Sequence, residues 1–252
     1  PEALEAARAA LAGYAPRVRF LQARFDEVGD DREVRSDGIA GALLDLGVSS
    51  HQIDRDRRGF TFRAQAPLDM RMTPEGASAA DLLNDAPVDE LARVFREYGE
   101  ERRARALARE VVRRRATAPL RVSDDLVAAI VRVLGPGVAA QDKARIFQAL
   151  RIAVNGELEA LERALPALRN ALRDGGVLVV ISYHSLEDRL VKHSFREWSR
   201  ACVCPQELPV CACRGRALGR SLTRKPERPS AEEVANNPRA RSALLRAWRK
   251  AA

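Results

Sequence analysis

The sequence predicts an α/β fold in which a helical domain interrupts a parallel sheet. Two apolar runs, residues 38–45 and 177–182, are typical of parallel strands that helices cover on both faces. Between them, residues 78–173 repeat apolar side chains at three- and four-residue steps, which indicates helices. Polar residues follow both runs, and ligands of open α/β sheets bind beyond the carboxyl ends of the strands. We therefore expect a functional crevice at that edge of the sheet.

The first part of the chain contains two further elements. Residues 2–11 place their apolar side chains on one side of a helix, and residues 18–21 predict a short strand. The chain starts with Pro1 and a helical pattern follows at once. We therefore expect the sequence given to begin inside a fold.

One helix of the helical block has a basic side, opposite a side of small and apolar residues. Two interpretations stay open: these arginines contact only solvent, or they bind the phosphates of a nucleic acid, for which guanidinium groups are well suited. The basic side consists of Arg102, Arg105, Arg109 and Arg113.

The last part of the chain is less regular. Residues 183–189 are polar and follow the second apolar run. Their His, Ser and Asp are too close in sequence to assemble a hydrolase triad, which argues against a hydrolase. Residues 241–249 fit either a strand or a helix, because their periodicity does not distinguish the two.

Composition narrows the class of protein. The 252 residues contain 43 Lys and Arg against 35 Asp and Glu, a net charge of +8. Excess positive charge favours association with polyanions, so nucleic acid is the leading partner class. No apolar run approaches the ~20 residues that a membrane helix needs, and we expect a cytoplasmic protein without a membrane partner. The sequence does not determine the oligomeric state.

The four cysteines form one cluster, which is too compact for the disulfide scaffold of a chain this long. Their C-x-C spacing differs from the C-x2–4-C spacing usual in structural zinc sites. Zinc ligands and reduced, redox-sensitive thiols both stay open, and no metal ligand is assigned. The cluster consists of Cys202, Cys204, Cys211 and Cys213.

A loop at residues 58–72 combines Phe, Met and Arg side chains. Such a loop beside a sheet crevice could hold a nucleobase by stacking, or it could wedge two domains together. Both interpretations stay open at this point.

Six sequence blocks occur in order along the chain: LLDLGVSS at 43–50, RGF at 58–60, PLDMRM at 67–72, YGEE at 98–101, FQALRI at 147–152 and SLEDR at 185–189. Together they resemble the bacterial family of 16S rRNA cytosine-N4 methyltransferases. The resemblance implies a class I S-adenosylmethionine-dependent methyltransferase (Rossmann-like) sheet with an inserted all-helical domain. Its implied substrate is a cytidine in the decoding region of 16S rRNA, within the small ribosomal subunit. The implied domains are methyltransferase parts at 1–76 and 155–252 and an RNA-recognition domain at 77–154.

The resemblance also implies roles for single residues. Asp45 is the candidate catalytic residue, and Phe25, Asp45 and Gln52 would bind S-adenosyl-L-methionine. RNA would contact the basic side of the helical block and, in addition, Ser49, Ser50, Phe60, Arg71 and His184.

The chain departs from the family pattern at several places. His51 stands where Pro is common, Gln65-Ala66 where Asp-Gly is common, and Tyr183 where Phe is common. The family also has an N-terminal strand with a Gly-rich cofactor loop, which this sequence lacks. An alternative therefore stays open, namely a non-catalytic module that binds rRNA or a ribosome-assembly intermediate.

Overall fold

The structure is a computed structural model that describes residues 2–48, 59–205, 210 and 212–252. The chain forms two compact units. The first, here the sheet unit, consists of residues 1–45 and 160–252. The second, here the helical unit, consists of residues 46–159.

In chain order the helices are α1 (Glu2–Ala10), α2 (Arg32–Asp37), α3 (Ala79–Asp85), α4 (Val88–Glu97), α5 (Ala104–Arg115), α6 (Ser123–Leu134), α7 (Ala140–Asn155), α8 (Glu157–Ala171), α9 (Ser185–Trp198) and α10 (Ala231–Asn236). The strands are β1 (Ile39–Asp45), β2 (Leu172–Ser182), β3 (Gly219–Ser221) and β4 (Leu244–Lys250). Short 3-10 turns cover Ala12–Arg17, Val28–Asp30 and Pro238–Ser242. No helix of the described residues is both long and apolar enough to cross a membrane.

The sheet unit is built on a mixed sheet with the strand order β1-β2-β4-β3. β1 runs parallel to β2, whereas β4 is antiparallel to both β2 and β3. The α/β class, both predicted apolar strands and the helices between them are confirmed. Residues 241–249, which fitted either element, are mainly strand, because β4 pairs with β2 along six residues from Leu244 to Arg249.

Two sequence expectations about this sheet are wrong. Residues 18–21 join no strand among the described residues; Arg19 instead pairs with Asp31 at 2.5 Å, which holds this segment against a turn. Neither strand is buried on both faces: on β2 one face is buried and Val177, Val179 and Ile181 of the other are half-buried, whereas on β1 Leu43 is 64% exposed. The physical reason for the greater exposure of β1 is position, because β1 has one neighbouring strand in the described sheet and β2 has two.

The core of the sheet unit contains an aromatic cluster formed by α9 and β4. The rings of Trp198 and Trp248 meet edge to face at 5.2 Å between centroids, and Phe195 packs against both. At Gly219 a Cβ would lie 2.3 Å from the Trp248 ring, so only glycine allows β3 to approach this closely. The cluster therefore fixes α9 against the antiparallel half of the sheet.

The helical unit has its own apolar core, to which α3 to α7 contribute buried side chains. The loop before α3 belongs to the same core, since Leu68 and Met70 are fully buried in it. At Gly59 a Cβ would lie 2.1 Å from the carbonyl oxygen of Pro67, and φ is +72°, so this position needs glycine. The loop thus packs within the helical unit. The domain boundary that the resemblance implies, between residues 76 and 77, assigns the loop to the methyltransferase part, and this boundary stays a prediction.

The turn at Gln65-Ala66 is attached to the start of α6. Gln65 adopts φ 62°, and its backbone N–H donates to Asp124 Oδ2 at 2.6 Å. The backbone N–H of Ser123 donates to the carbonyl of Ala66 at 2.8 Å. These bonds give the departure from the family pattern a local structural role.

Candidate functional site

The carboxyl ends of β1 and β2 meet, as the sequence predicts. Asp45 is the last residue of β1 and lies opposite Ile181 of β2. Tyr183 follows the last residue of β2, and its hydroxyl donates to Asp45 Oδ1 at 2.9 Å. Asp45 and Tyr183 therefore share one edge of the sheet.

The electrostatics of this pair favour a neutral tyrosine. Burial, followed by the hydrogen bond and the negative charge of Asp45, raises the pKa of Tyr183 to about 12. Tyr183 therefore remains a hydrogen-bond donor to the carboxylate at neutral pH. Asp45 Oδ2 accepts no hydrogen bond from the described residues, and the side chain is exposed. One carboxylate oxygen is thus available to a ligand.

His184 begins the helix on the other side of this edge. Its Nδ1 accepts the backbone N–H of Glu187 at 3.4 Å, and a Glu187 oxygen in turn accepts the backbone N–H groups of Tyr183 and His184. This reciprocal pair is a capping box. Nε2 lies 3.1 Å from Glu187 Oε1 without hydrogen-bond geometry, and the side chain is 8% exposed. The ring therefore caps α9, and its contact with RNA stays a prediction.

Phe25 lies half-buried in a loop that is anchored to α8. The carboxylate of Asp26 accepts hydrogen bonds from Arg163 at 2.6 Å and from Arg24 at 3.1 Å. Burial opposes ionisation of Asp26, but these bonds hold its pKa below the usual value. The anchor fixes the position of the loop on α8; the role of Phe25 in cofactor binding stays a prediction.

Three predicted site residues, Ser49, Ser50 and Gln52, lie outside the described residues, so their roles also stay predictions. His51, one of the departures from the family pattern, lies outside them too.

The basic side, three arginines of α5 and Arg102 two residues before the helix, is exposed, and the opposite side is buried, as predicted. Arg105 pairs with Asp89 at 3.2 Å, and Arg113 binds Glu110 at 2.7 Å. Hydrogen bonds from Arg113 and, against the effect of burial, from Arg114 lower the pKa of Glu110 to about 2. The exposed members are Arg102, Arg105, Arg109 and Arg113, and the buried residues opposite them are Ala104, Leu107, Ala108 and Val111.

The three stacking candidates of the loop at 58–72, namely Phe60, Phe62 and Arg71, have structural contacts. The ring of Phe62 meets that of Phe147 edge to face at 6.0 Å between centroids. Phe60 is half-buried against the core of the helical unit. Arg71 donates to both carboxylate oxygens of Asp69, at 2.7 and 3.1 Å, and to the carbonyls of Pro74 and Gly76. Arg71 therefore closes its own loop, and the stacking of a base on any of these side chains stays a prediction.

Sequence reasoning missed two long-range contacts near these sites. Asn155 donates to the carbonyl of Met70 at 2.8 Å and accepts from the backbone N–H of Met72 at 2.7 Å. Asp188 and Arg246 form a two-bond ion pair at 2.7 and 3.0 Å. Neither pair has a sequence signal, because the partners lie far apart in the chain. Tyr183 did carry a signal, since it departs from the family pattern.

Comparison with known proteins finds similarity along the whole chain. The sequence model of the MraW methylase family matches residues 1–251. The chain is 55% identical to a protein of Gemmatimonas aurantiaca over 257 residues, which covers 100% of this chain and 81% of that protein. It is 52% identical to a protein of Heliobacterium modesticaldum, with 99% and 82% covered, and 49% identical to one of Geobacter sulfurreducens, also with 99% and 82% covered. Each of the three is named ribosomal RNA small subunit methyltransferase H.

Proposed function

The chain belongs to the MraW methylase family and is an S-adenosylmethionine-dependent rRNA methyltransferase, and we propose that it methylates N4 of a cytidine in the decoding region of 16S rRNA. The observation that carries this proposal is the pair of Asp45 and Tyr183 at the carboxyl ends of adjacent parallel strands. Ligands of open α/β sheets bind at this edge. A non-catalytic rRNA-binding module is not favoured, because relatives that are matched over about four fifths of their length are named as methyltransferases.

The residues at this edge fit S-adenosylmethionine. The available oxygen of Asp45 can accept an N–H or O–H of the adenosine portion, while Tyr183 holds the other oxygen. An aromatic side chain such as Phe25 is suited to contact adenine. When bound, the cofactor supplies a methyl group on a positively charged sulfur.

The chemistry requires orientation and charge stabilisation. The exocyclic amine of cytosine is a poor nucleophile, because its lone pair is delocalised into the ring. Holding the amine in line with the methyl group lowers the barrier, and a fixed negative charge stabilises the positive charge that develops on nitrogen. Asp45 is the carboxylate that β1 places at this edge, and the bond from Tyr183 restricts its orientation. We assign it the stabilising role.

RNA recognition is assigned to the helical unit. The exposed basic side offers guanidinium groups that bind phosphate, and Arg102 and Arg109 form no ion pair with any described residue. A base inside a folded RNA must leave its stack to reach a crevice. Phosphate contacts on this side would hold the RNA while the base enters. The small ribosomal subunit is the proposed partner, and we propose a cytoplasmic location.

The test is to identify the methylated atom. The chain is incubated with small ribosomal subunits and S-adenosylmethionine labelled in its methyl group, and the digested RNA is analysed by nucleoside mass spectrometry. The expected product is N4-methylcytidine from one position in the decoding region. A methyl group on C5, or at a position outside that region, would contradict the proposal. RNA binding without any methyl transfer would instead favour the non-catalytic module.

A further inference from the structure

Three thiols converge in the loop that follows α9. The Sγ atoms of Cys202, Cys204 and Cys213 all lie within 4.8 Å of one another. We propose that these three cysteines supply three of the four ligands of a zinc ion with a structural role. The remaining cysteine, Cys211, lies outside the described residues and is not part of the proposal.

The distances and the ligand chemistry both point to zinc. A Zn–S bond of about 2.3 Å places the sulfurs of a tetrahedral site roughly 3.8 Å apart, so small side-chain rotations would bring these thiols into position. The cluster consists of sulfur ligands alone. Thiolates select zinc over magnesium or calcium, which prefer oxygen. Each thiol loses its proton as its bond to zinc forms, so binding releases protons to solvent.

The fold brings the thiols together from two segments. The C-x-C pair of Cys202 and Cys204 directly follows α9, and Cys213 returns from the far end of the loop. The third ligand thus comes from a different segment, so the proposed site does not depend on the C-x-C pair alone.

The backbone around the cluster supports this arrangement. The N–H of Val203 donates to Cys213 Sγ at 3.4 Å, a contact typical of the outer shell of metal thiolates. Arg214 donates to the carbonyls of Glu197 and Arg200 at 2.6 and 3.2 Å. These bonds hold the segment of Cys213 against the end of α9.

The proposed role follows from the low burial of the described part of this loop. Among the described residues of 199–218 no side chain is buried; Cys202 is exposed, and Val210 is 76% exposed. A metal cross-link would stabilise such a segment, as it does in small metal-binding domains. Zinc would connect the end of α9 to the segment that leads into β3, independently of the methyl-transfer site.

The test measures the metal directly. The chain, purified under reducing conditions, is dialysed and its zinc content is determined; Co²⁺ is then substituted and its thiolate charge-transfer absorption is recorded. We expect one zinc per chain and a strong cobalt–thiolate band. Cys204→Ser and Cys213→Ser should each lower zinc affinity at least tenfold. Val210→Ser, a change in the same loop that removes no thiol, should retain wild-type affinity.

Two results would overturn the proposal. One is a reduced, folded chain that retains no zinc and gives no cobalt–thiolate band. The other is a disulfide within the cluster, detected by mass spectrometry without reductant, in chain purified with zinc present. If the Cys variants do not fold, the wild-type chain still decides: a chelator should release zinc, expose the thiols to a thiol reagent and leave the far-UV circular dichroism of the helices unchanged.

Discussion

The two units of the chain place their candidate functional groups in opposite ways. In the helical unit, the basic side arises from one helix and from Arg102 in the turn just before it, at three- and four-residue steps. In the sheet unit, Asp45 meets Tyr183 across 138 residues of sequence, and only the register of β1 with β2 brings them together. A recognition surface can therefore follow from local periodicity, whereas the reaction site requires the completed sheet.

The largest expected effect tests the sheet unit. Asp45→Ala removes the carboxylate assigned to charge stabilisation, and we expect kcat/KM for RNA methylation to fall by about 100-fold or more. The measurement is initial rate with small ribosomal subunits. Asp174→Ala is the matched control. Asp174 is exposed, as Asp45 is, but it lies near the amino end of β2, away from the edge that carries Asp45. If Asp45→Ala were as active as Asp174→Ala, Asp45 would have no role in the reaction.

The next effect tests the helical unit. Replacing Arg102 and Arg109 with Ala should weaken RNA binding by roughly tenfold and lower the salt dependence of log K by about 0.7 to 0.9 for each phosphate that the variant no longer neutralises. Arg96→Ala removes an exposed arginine of α4 outside the basic side and should leave the slope unchanged. An unchanged slope in the double variant would mean that this side contacts only solvent.

A smaller effect concerns the stability of the same helix. Glu110→Gln removes the charge-assisted hydrogen bonds from Arg113 and Arg114, so the free energy of unfolding should fall by about 1 to 2 kcal/mol near neutral pH. The loss stays this small because Arg113 is 65% exposed and solvent screens its charge. Because the pKa of Glu110 is lowered from 4.5 to about 2, its contribution is present above the higher value and is lost as pH falls through this range.

Denaturant unfolding of wild type and Glu110→Gln across that pH range measures the difference, which should shrink as the pH decreases. Glu97→Gln is the control, since its pair with Arg93 joins two exposed side chains and should contribute little. A constant difference at all pH values would mean that the charge of Glu110 is not the cause.

The smallest effect sharpens the comparison at the reaction site. Tyr183→Phe removes one hydrogen bond to Asp45, so kcat/KM for RNA methylation should fall by at most about fivefold. In the Asp45→Ala background the same substitution should have no effect on kcat/KM, because a double-mutant cycle isolates the contact. Equal effects in both backgrounds would show that Tyr183 acts independently of Asp45.

The limits of sequence-based prediction follow the same division. The buried and exposed sides of α5 were predictable, because helical periodicity alone determines them. Strands β1 and β2 were predictable from apolar runs, but the antiparallel place of β4 was not, since pairing partners leave no mark on a seven-residue segment. Residues 18–21 have a strand-like pattern that the ion pair of Arg19 with Asp31 overrides. The ion pair of Asp188 and Arg246 could not be predicted either, because the two residues lie far apart in sequence.

The position of β4 has a consequence for the order in which the chain can fold during synthesis. β4 lies between β2 and β3, so the sheet has a gap until residues 244–250 have left the ribosome. The helical unit is one continuous segment that ends at residue 159 and can pack its core much earlier. The nascent chain therefore carries a finished helical unit while β2 and β3 still await the strand between them, and the long-range pairing of β4 makes closure of this gap slow.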